Sequence, residues 1–172
     1  MYFLKLVLLL LIVLLSNNVF ALSTDRSQPL QIEADQATID NVKGIAIYTG
    51  NVIITQGSIR INANVVTVHY TQKQEIENVV ADGKPAKFKQ QLDRGDDIKA
   101  KAKQMEYDAL KNMLHLRKNA ELRKVRKGKD ISTSSAPRII YDTQRGIIKA
   151  DKGSSKTGRT TVTIYPQTSS KK

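Results

Sequence analysis

Residues 34 to 54 recur without a gap at residues 102 to 122, and this duplication constrains the fold more than any other feature of the chain. The first copy carries Ala34, Gln36, Asp40, Tyr48, Gly50, Asn51, Val52 and Ile54. The second carries Ala102, Gln104, Asp108, Leu116, Lys118, Asn119, Ala120 and Leu122. A unit of this size cannot bury a core of its own. Copies must stack and share one continuous apolar interior, a build associated with extended binding surfaces rather than a single catalytic pocket.

Within the copies the apolar residues alternate with a period of two, the mark of half-buried strands. Leu30, Ile32 and Ala34 face one way and Gln31, Glu33 and Asp35 the other. The pattern runs on through Ile45 to Ile54, turns at Gln56 and Gly57, and resumes with Ile59, Ile61 and Ala63, then Val66, Val68 and Tyr70. A strand from Ile76 to Ala81 is expected to end in a turn at Asp82 to Pro85, since proline has no N–H for a central ladder. Ala86 and Phe88 restart the pattern. Lys99 to Lys127 is rich in Lys, Ala, Glu, Met and Leu, a composition that favours helix. It nevertheless aligns with the strand-like first copy, so strand, turn at Ala109 to Asn112 and strand are expected here too. Lys127 to Pro137 reads as a polar loop, Arg138 to Tyr141 and Gly146 to Ala150 as strands, and Thr160 to Tyr165 as a last short strand. Many short strands without helical crossovers indicate an antiparallel stack, jelly roll or solenoid.

The chain opens with Lys5, the apolar run Leu6 to Leu15, and Val19 and Ala21 at the positions a signal peptidase reads. This is the layout of a secretory signal peptide, residues 1–21, with cleavage after Ala21. Ten apolar residues at ~1.5 Å each fall short of a ~30 Å hydrocarbon layer. Residues 22–166 then form a single exported domain and residues 167–172 a flexible tail. The chain has no cysteine, so stability must come from sheet and core. Its formal net charge is +12, which favours acidic partners. Export argues against nucleic acid as that partner.

Several motifs dissolve on inspection. Gly153 to Thr160 nearly spells a phosphate-binding P-loop, but a strand-like run follows where a helix should begin, so a hairpin turn is expected. Arg94, Gly95 and Asp96 form an adhesion-like tripeptide whose ordinary reading is a surface turn. His69 and His115 are the two histidines, both expected to face outward, and they supply too few ligands for a zinc site. Asp96 and Asp97 are adjacent and point to opposite faces of a strand, so they cannot act as a facing acid and base. No enzyme, metal or cofactor is expected. Arg117, Lys118, Arg123, Lys124, Arg126, Lys127 and Lys129 form the strongest charge feature. It reads either as a solvated face or as a phosphate-attracting rim, with Arg117, Arg123 and Lys127 on a common side. Leu30, Gln31, Ile32 and Glu33 at one end, and Thr161, Val162, Thr163 and Ile164 at the other, are natural open edges for pairing with another copy or a similar partner.

The run Gln28 to Asp35, then Tyr48 to Gly57, then Ile59 to Ala63 resembles the OstA-like family of lipopolysaccharide-transport proteins. Gly83 to Ala86, Phe88, Ala102, Gln104, Met105 and Tyr107 fit the same family. The resemblance covers nearly all of the chain after residue 21, and Thr49 to Gly57 is its most specific block. It implies an all-β, twisted, V-shaped antiparallel β-jellyroll, open at both ends. It also implies a periplasmic bridge that polymerises head to tail between an inner-membrane-anchored LptC-like protein and an outer-membrane LptD-like translocon. Lipopolysaccharide would travel with its lipid A acyl chains in the apolar interior. The family's lipid- and partner-contacting positions carry over to Leu30 and Ile32, and an interior aromatic to Phe88.

On this reading the lipid-facing interior comprises Leu30, Ile32, Tyr48, Val52, Ile54, Ile61, Val68, Phe88, Met105 and Leu116. Lys118 stands where the first copy has Gly50, and the segment Arg117 to Lys129 is unusually basic. The alternative is an exported structural or adhesive β-repeat protein that binds polyanions through its basic face.

Overall fold

Alternation of apolar and polar residues over long stretches produces long strands, and the computed structural model describes them for residues 24–92 and 95–166. The expected signal peptide, its cleavage after Ala21, the tail 167–172 and Arg94 lie outside the described residues. A short helical turn, α1 (Thr24–Ser27), precedes β1 (Gln31–Glu33) and β2 (Gln36–Asp40). Six long strands follow: β3 (Ile45–Gln56), β4 (Ile59–Tyr70), β5 (Ile76–Gln91), β6 (Asp96–Asp108), β7 (Met113–Arg126) and β8 (Lys129–Asp142). β9 (Ile147–Asp151) and β10 (Thr161–Ile164) close the order. Each long strand pairs antiparallel with the next. β1 and β2 both pair with β3, and β9 and β10 both pair with β8.

Each of the five ladders between long strands is interrupted near its middle: Thr49 to Val52, Asn62 to Val65, Asp82 to Ala86, Lys101 to Gln104 and Arg117 to Ala120. Bulges bend and twist the strands that carry them. Ile54, Ile61 and Phe88 from one side of these breaks, and Val68, Val79, Tyr107 and Leu114 from the other, border one shared cavity. In a flat sheet the two groups would lie side by side on an open face. Their shared burial means that the sheet folds over itself along the line of bulges. Layer one runs from β2 to β9 and layer two from β1 to β10. The result is the twisted antiparallel β-jellyroll, open at both ends, that the resemblance implies.

The duplication persists in the backbone. Gly50 and Asn51 are left-handed (φ 77° and 46°), and so are Lys118 and Asn119 (φ 64° each), both pairs at the bend of their strand. Asp40, Asp108 and Asp142 begin equivalent turns, in which each carboxylate accepts a backbone N–H and pairs with the cation three residues on. The third of these, Asp142 with Arg145, extends the repeat beyond the two aligned copies.

Four sequence expectations need correction. Asp82 to Pro85 is not a turn between strands, because β5 runs continuously from Ile76 to Gln91. Pro85 falls in the break between Asp82 and Ala86, where no ladder bond is asked of it. Lys127 to Pro137 is not a loop. Only a tight turn separates β7 from β8, whose Ser and Thr residues pair with β7. Gly153 to Thr160 is not a hairpin turn either: it connects two strands that both pair with β8. Finally, the edge strands are shorter than expected, leaving Leu30 outside β1, and each edge has a second segment, β2 or β9.

The interior is mostly apolar. Met105, Leu114, Leu116, Leu122, Ile139 and Tyr141 are fully buried there. Nearer β1 the packing loosens into the cavity.

Candidate functional site

The cavity has a volume of about 210 Å³ and lies between the layers at the N-terminal end of the trough. Layer two contributes Leu30, Ile32, Ile54, Ile59, Ile61 and Phe88; layer one contributes Val68, Ile76, Val79, Tyr107 and Leu114. Their inward aim follows from strand alternation, with its phase reset at each bulge. Gln56 and Thr143 bring polar atoms to the wall. The Gln56 side-chain amide donates to the Gln28 carbonyl at 3.2 Å, and the Thr143 hydroxyl donates to the Asn112 carbonyl at 3.1 Å. An apolar space of ~150 Å³ suffices for benzene, so this one fits a short length of hydrocarbon chain.

One end of layer two is tied down by a carboxylate with no sequence motif to announce it. Asp25 is buried; its Oδ1 accepts the Ser58 backbone N–H at 2.6 Å, and its Oδ2 accepts the Ser58 hydroxyl at 2.8 Å and the Gln90 amide at 3.3 Å. Gly57 lies so close beneath that a Cβ would collide with Asp25. These bonds hold α1 over the β3–β4 turn, next to the cavity wall at Gln56 and Ile59. Asp96 anchors the same end of the layer. It too is buried, and Arg126 grips it through two hydrogen bonds of 2.7 and 2.8 Å while Lys124 lies 3.3 Å away. The Arg126 bond is the main cause of its acidity, holding the carboxyl at about 2. Asp97, on the other face, pairs with Lys89.

Of the ten residues expected inside, Leu30, Ile32, Ile54, Ile61, Val68 and Phe88 border the cavity. Val52, Met105 and Leu116 are buried elsewhere in the core, and Tyr48 packs against it half-buried. Ile59, Ile76, Val79, Tyr107, Ala109 and Leu114 also border the cavity and were not singled out from sequence. Alternation could have found Ile59 and Val79. The convergence of Tyr107 with Ile61 depends on the bend.

The expected cationic rim does not converge. Arg117 pairs with Glu106, and Arg123 lies 3.3 Å from Asp130 and 3.6 Å from Glu121. Six residues, ~20 Å along a strand, separate the two arginines on either side of the bend. Lys127 occupies the β7–β8 turn with a left-handed backbone. The two histidines are half-buried on the outward face. Burial, then the charge of Arg117, lowers the pKa of His115.

Both sheet edges are unpaired among the described residues. On the inward face of β10, Val162 and Ile164 are 58% and 78% exposed, and Ile39 on β2 is 60% exposed. The trough therefore keeps an apolar floor at each mouth.

Comparison with known proteins gives consistent results. Residues 31–147 match the family described as LptA/(LptD N-terminal domain) LPS transport protein. The chain is 38% identical over 165 residues to the lipopolysaccharide export system protein LptA of Haemophilus influenzae, covering 95% of this chain and 92% of that protein. It is 35% identical over 136 residues to LptH of Pseudomonas aeruginosa, covering 78% and 75%. A crystal structure of LptH, titled as the LptA-homologous periplasmic component of the lipopolysaccharide transport device, superposes with a TM-score of 0.73 at 34% identity. That match covers 83% of this chain and 99% of the LptH chain.

Proposed function

The chain belongs to the LptA/(LptD N-terminal domain) family of lipopolysaccharide transport proteins, and from that premise we propose that it carries lipopolysaccharide between two membranes with the acyl chains held between its layers. In this reading Met1–Ala21 directs export and is removed after Ala21. The mature domain then works in the periplasm, the compartment named for the Pseudomonas relative.

The observation that carries the reading is the apolar cavity bordered by Leu30, Ile32, Ile54, Ile61, Val68 and Phe88, set in a trough open at both ends. Each methylene moved there from water gains ~0.8 kcal/mol, so a many-chained lipid is held by the sum of small contacts. Such binding is spread out and reversible, as transfer requires. The cavity is too small for several complete chains, so the layers must part along the line of bulges to admit them.

The strand alternation supports head-to-tail assembly. Each layer contains eight strand segments, counting the halves of bent strands, and every neighbour is antiparallel. Setting β10 of one copy beside β1 of the next, and β9 beside β2, continues both layers without breaking that alternation. Acidic Glu33 and Asp35 lie along the first edge, and basic Lys149, Lys152, Lys156 and Arg159 outnumber Asp151 near the second. This charge pattern favours unlike ends. The ends of the chain of copies would meet an inner-membrane-anchored LptC-like protein and an outer-membrane LptD-like translocon.

The polyanion-binding alternative is weakened by the ion pairs that occupy Arg117, Arg123, Lys124 and Arg126. A photo-reactive residue at Ile32 tests the leading reading. It should crosslink to lipopolysaccharide, whereas the same residue at exposed Lys87 should not. Equal labelling from both positions overturns it.

A further inference from the structure

Tyr141, on the inner face of β8, is fully buried. Its hydroxyl finds no hydrogen-bond partner among the described residues. An unmet hydroxyl in an apolar interior is destabilising, and phenylalanine would fill nearly the same space without that penalty. The polar groups on the nearby cavity wall are engaged: Thr143 donates to the Asn112 carbonyl and Gln56 to the Gln28 carbonyl. Burial, reinforced by the charge of Asp142, pushes the Tyr141 phenol up to about 12, so it stays protonated and able to donate.

Its position gives this donor a direction. Val68, Val79, Tyr107, Leu114 and Tyr141 are successive register partners across layer one, forming one inner-face row perpendicular to the strands. The first four border the cavity. Adjacent strands are ~4.8 Å apart, so the four span ~14 Å and Tyr141 lies one further step beyond Leu114. A hydrocarbon chain lying along this row, with its tail toward Val68, brings its head group to Tyr141.

We propose that the Tyr141 hydroxyl donates a hydrogen bond to the carbonyl at the head of a fatty acyl chain, so that the trough distinguishes acylated lipids from simple alkyl chains. The proposal rests on the acyl-binding reading above and assigns that site a polar determinant of specificity.

The test uses two single-chain lipids that differ only at the carbonyl, 1-myristoyl- and 1-O-tetradecyl-glycerophosphocholine, titrated calorimetrically below their micelle concentrations. The full chain without its first 21 residues should bind the ester roughly 3- to 10-fold more tightly than the ether. Tyr141→Phe should bring that ratio to about one and should melt at the same temperature or higher, because no internal hydrogen bond is lost. An ester preference that survives in Tyr141→Phe, or that is missing from the parent while both lipids bind, overturns the proposal. A variant that melts several degrees lower also overturns it, because the hydroxyl then has an internal partner. If the parent binds neither lipid, the acyl-binding reading itself fails.

Discussion

Gly50 and Lys118 hold the same left-handed backbone, φ 77° and 64°, at the equivalent bend of β3 and β7. Glycine adopts this conformation freely, whereas a residue with a Cβ is strained by ~1–2 kcal/mol. At Gly50 there is a second restriction, since a Cβ would collide with the Asp35 side chain. Asp35 in turn accepts the Asn51 side-chain amide at 3.0 Å and donates its own N–H to the Gly50 carbonyl at 3.0 Å.

Lys118→Gly should therefore stabilise the domain by about 0.5–1 kcal/mol, the relieved strain less the greater entropy of the unfolded glycine. Gly50→Ala should destabilise it by ~1–3 kcal/mol. Urea unfolding midpoints check both. A Lys118→Gly variant less stable than the parent would mean that the lysine makes a contact outweighing its backbone strain.

Asp96 should make stability depend on acid. Its carboxyl is lowered from 3.8 to about 2, first by the Arg126 hydrogen bond. A depressed carboxylate contributes stability that is fully present above its unfolded value and lost as pH falls through its folded one. The parent should lose this contribution between pH 4 and 2. Asp96→Asn should melt lower than the parent at pH 7, with the gap closing by about pH 2. Melting curves across that range measure it, and a gap independent of pH would discount the ion pair.

Ile32 is only half-buried on an edge strand, so a change there tests the proposed lipid capture apart from stability. Ile32→Asp should cost at most ~1 kcal/mol of stability, because the carboxylate can reach water at the edge. It should nevertheless remove lipopolysaccharide binding. Deeper in the wall, Phe88→Ala should destabilise by ~3–4 kcal/mol. Retained binding in a folded Ile32→Asp protein would move the lipid away from this cavity.

Salt distinguishes the two classes of partner. Apolar burial is insensitive to moderate salt, whereas phosphate-driven association weakens steeply. Raising sodium chloride from ~50 to ~500 mM should change lipopolysaccharide affinity by less than about 3-fold. A loss of about 100-fold or more would favour the polyanion reading.

Removal of the residues from Thr161 onward should abolish head-to-tail assembly while the domain still folds, because β10 touches only the outer half of β8. Light scattering should show larger assemblies for the full-length mature chain and a monomer for the shortened one. Unchanged assembly would leave β10 without a role at the joint.

Where a residue's environment is set by its neighbours in sequence, the chain alone was informative. The duplication required one architecture for both copies and so overruled the helix-favouring composition of Lys99 to Lys127, which forms β6 and β7. Alternation identified the inward residues Leu30, Ile32, Ile54, Ile61, Val68 and Phe88. It could not show that Asp82 to Pro85 interrupts a strand rather than ending it. A bulge and a turn use the same residues, and only pairing with β4 and β6 on either side distinguishes them. Nor could it show that the serine-rich stretch after Lys129 is a strand, because its partner β7 supplies the ladder that its own composition does not favour.

Strand content, the repeat and the apolar face are consequences of local periodicity and are legible in the residues alone. Where the sheet bends, which distant residues meet across the trough, and which charges are already paired are set by the folded chain. Asp25 on Ser58, Asp96 in the grip of Arg126, and Tyr141 at the end of its row each depend on residues far apart in the chain. Their chemistry comes from burial and distance, and those exist only once the layers have closed on one another.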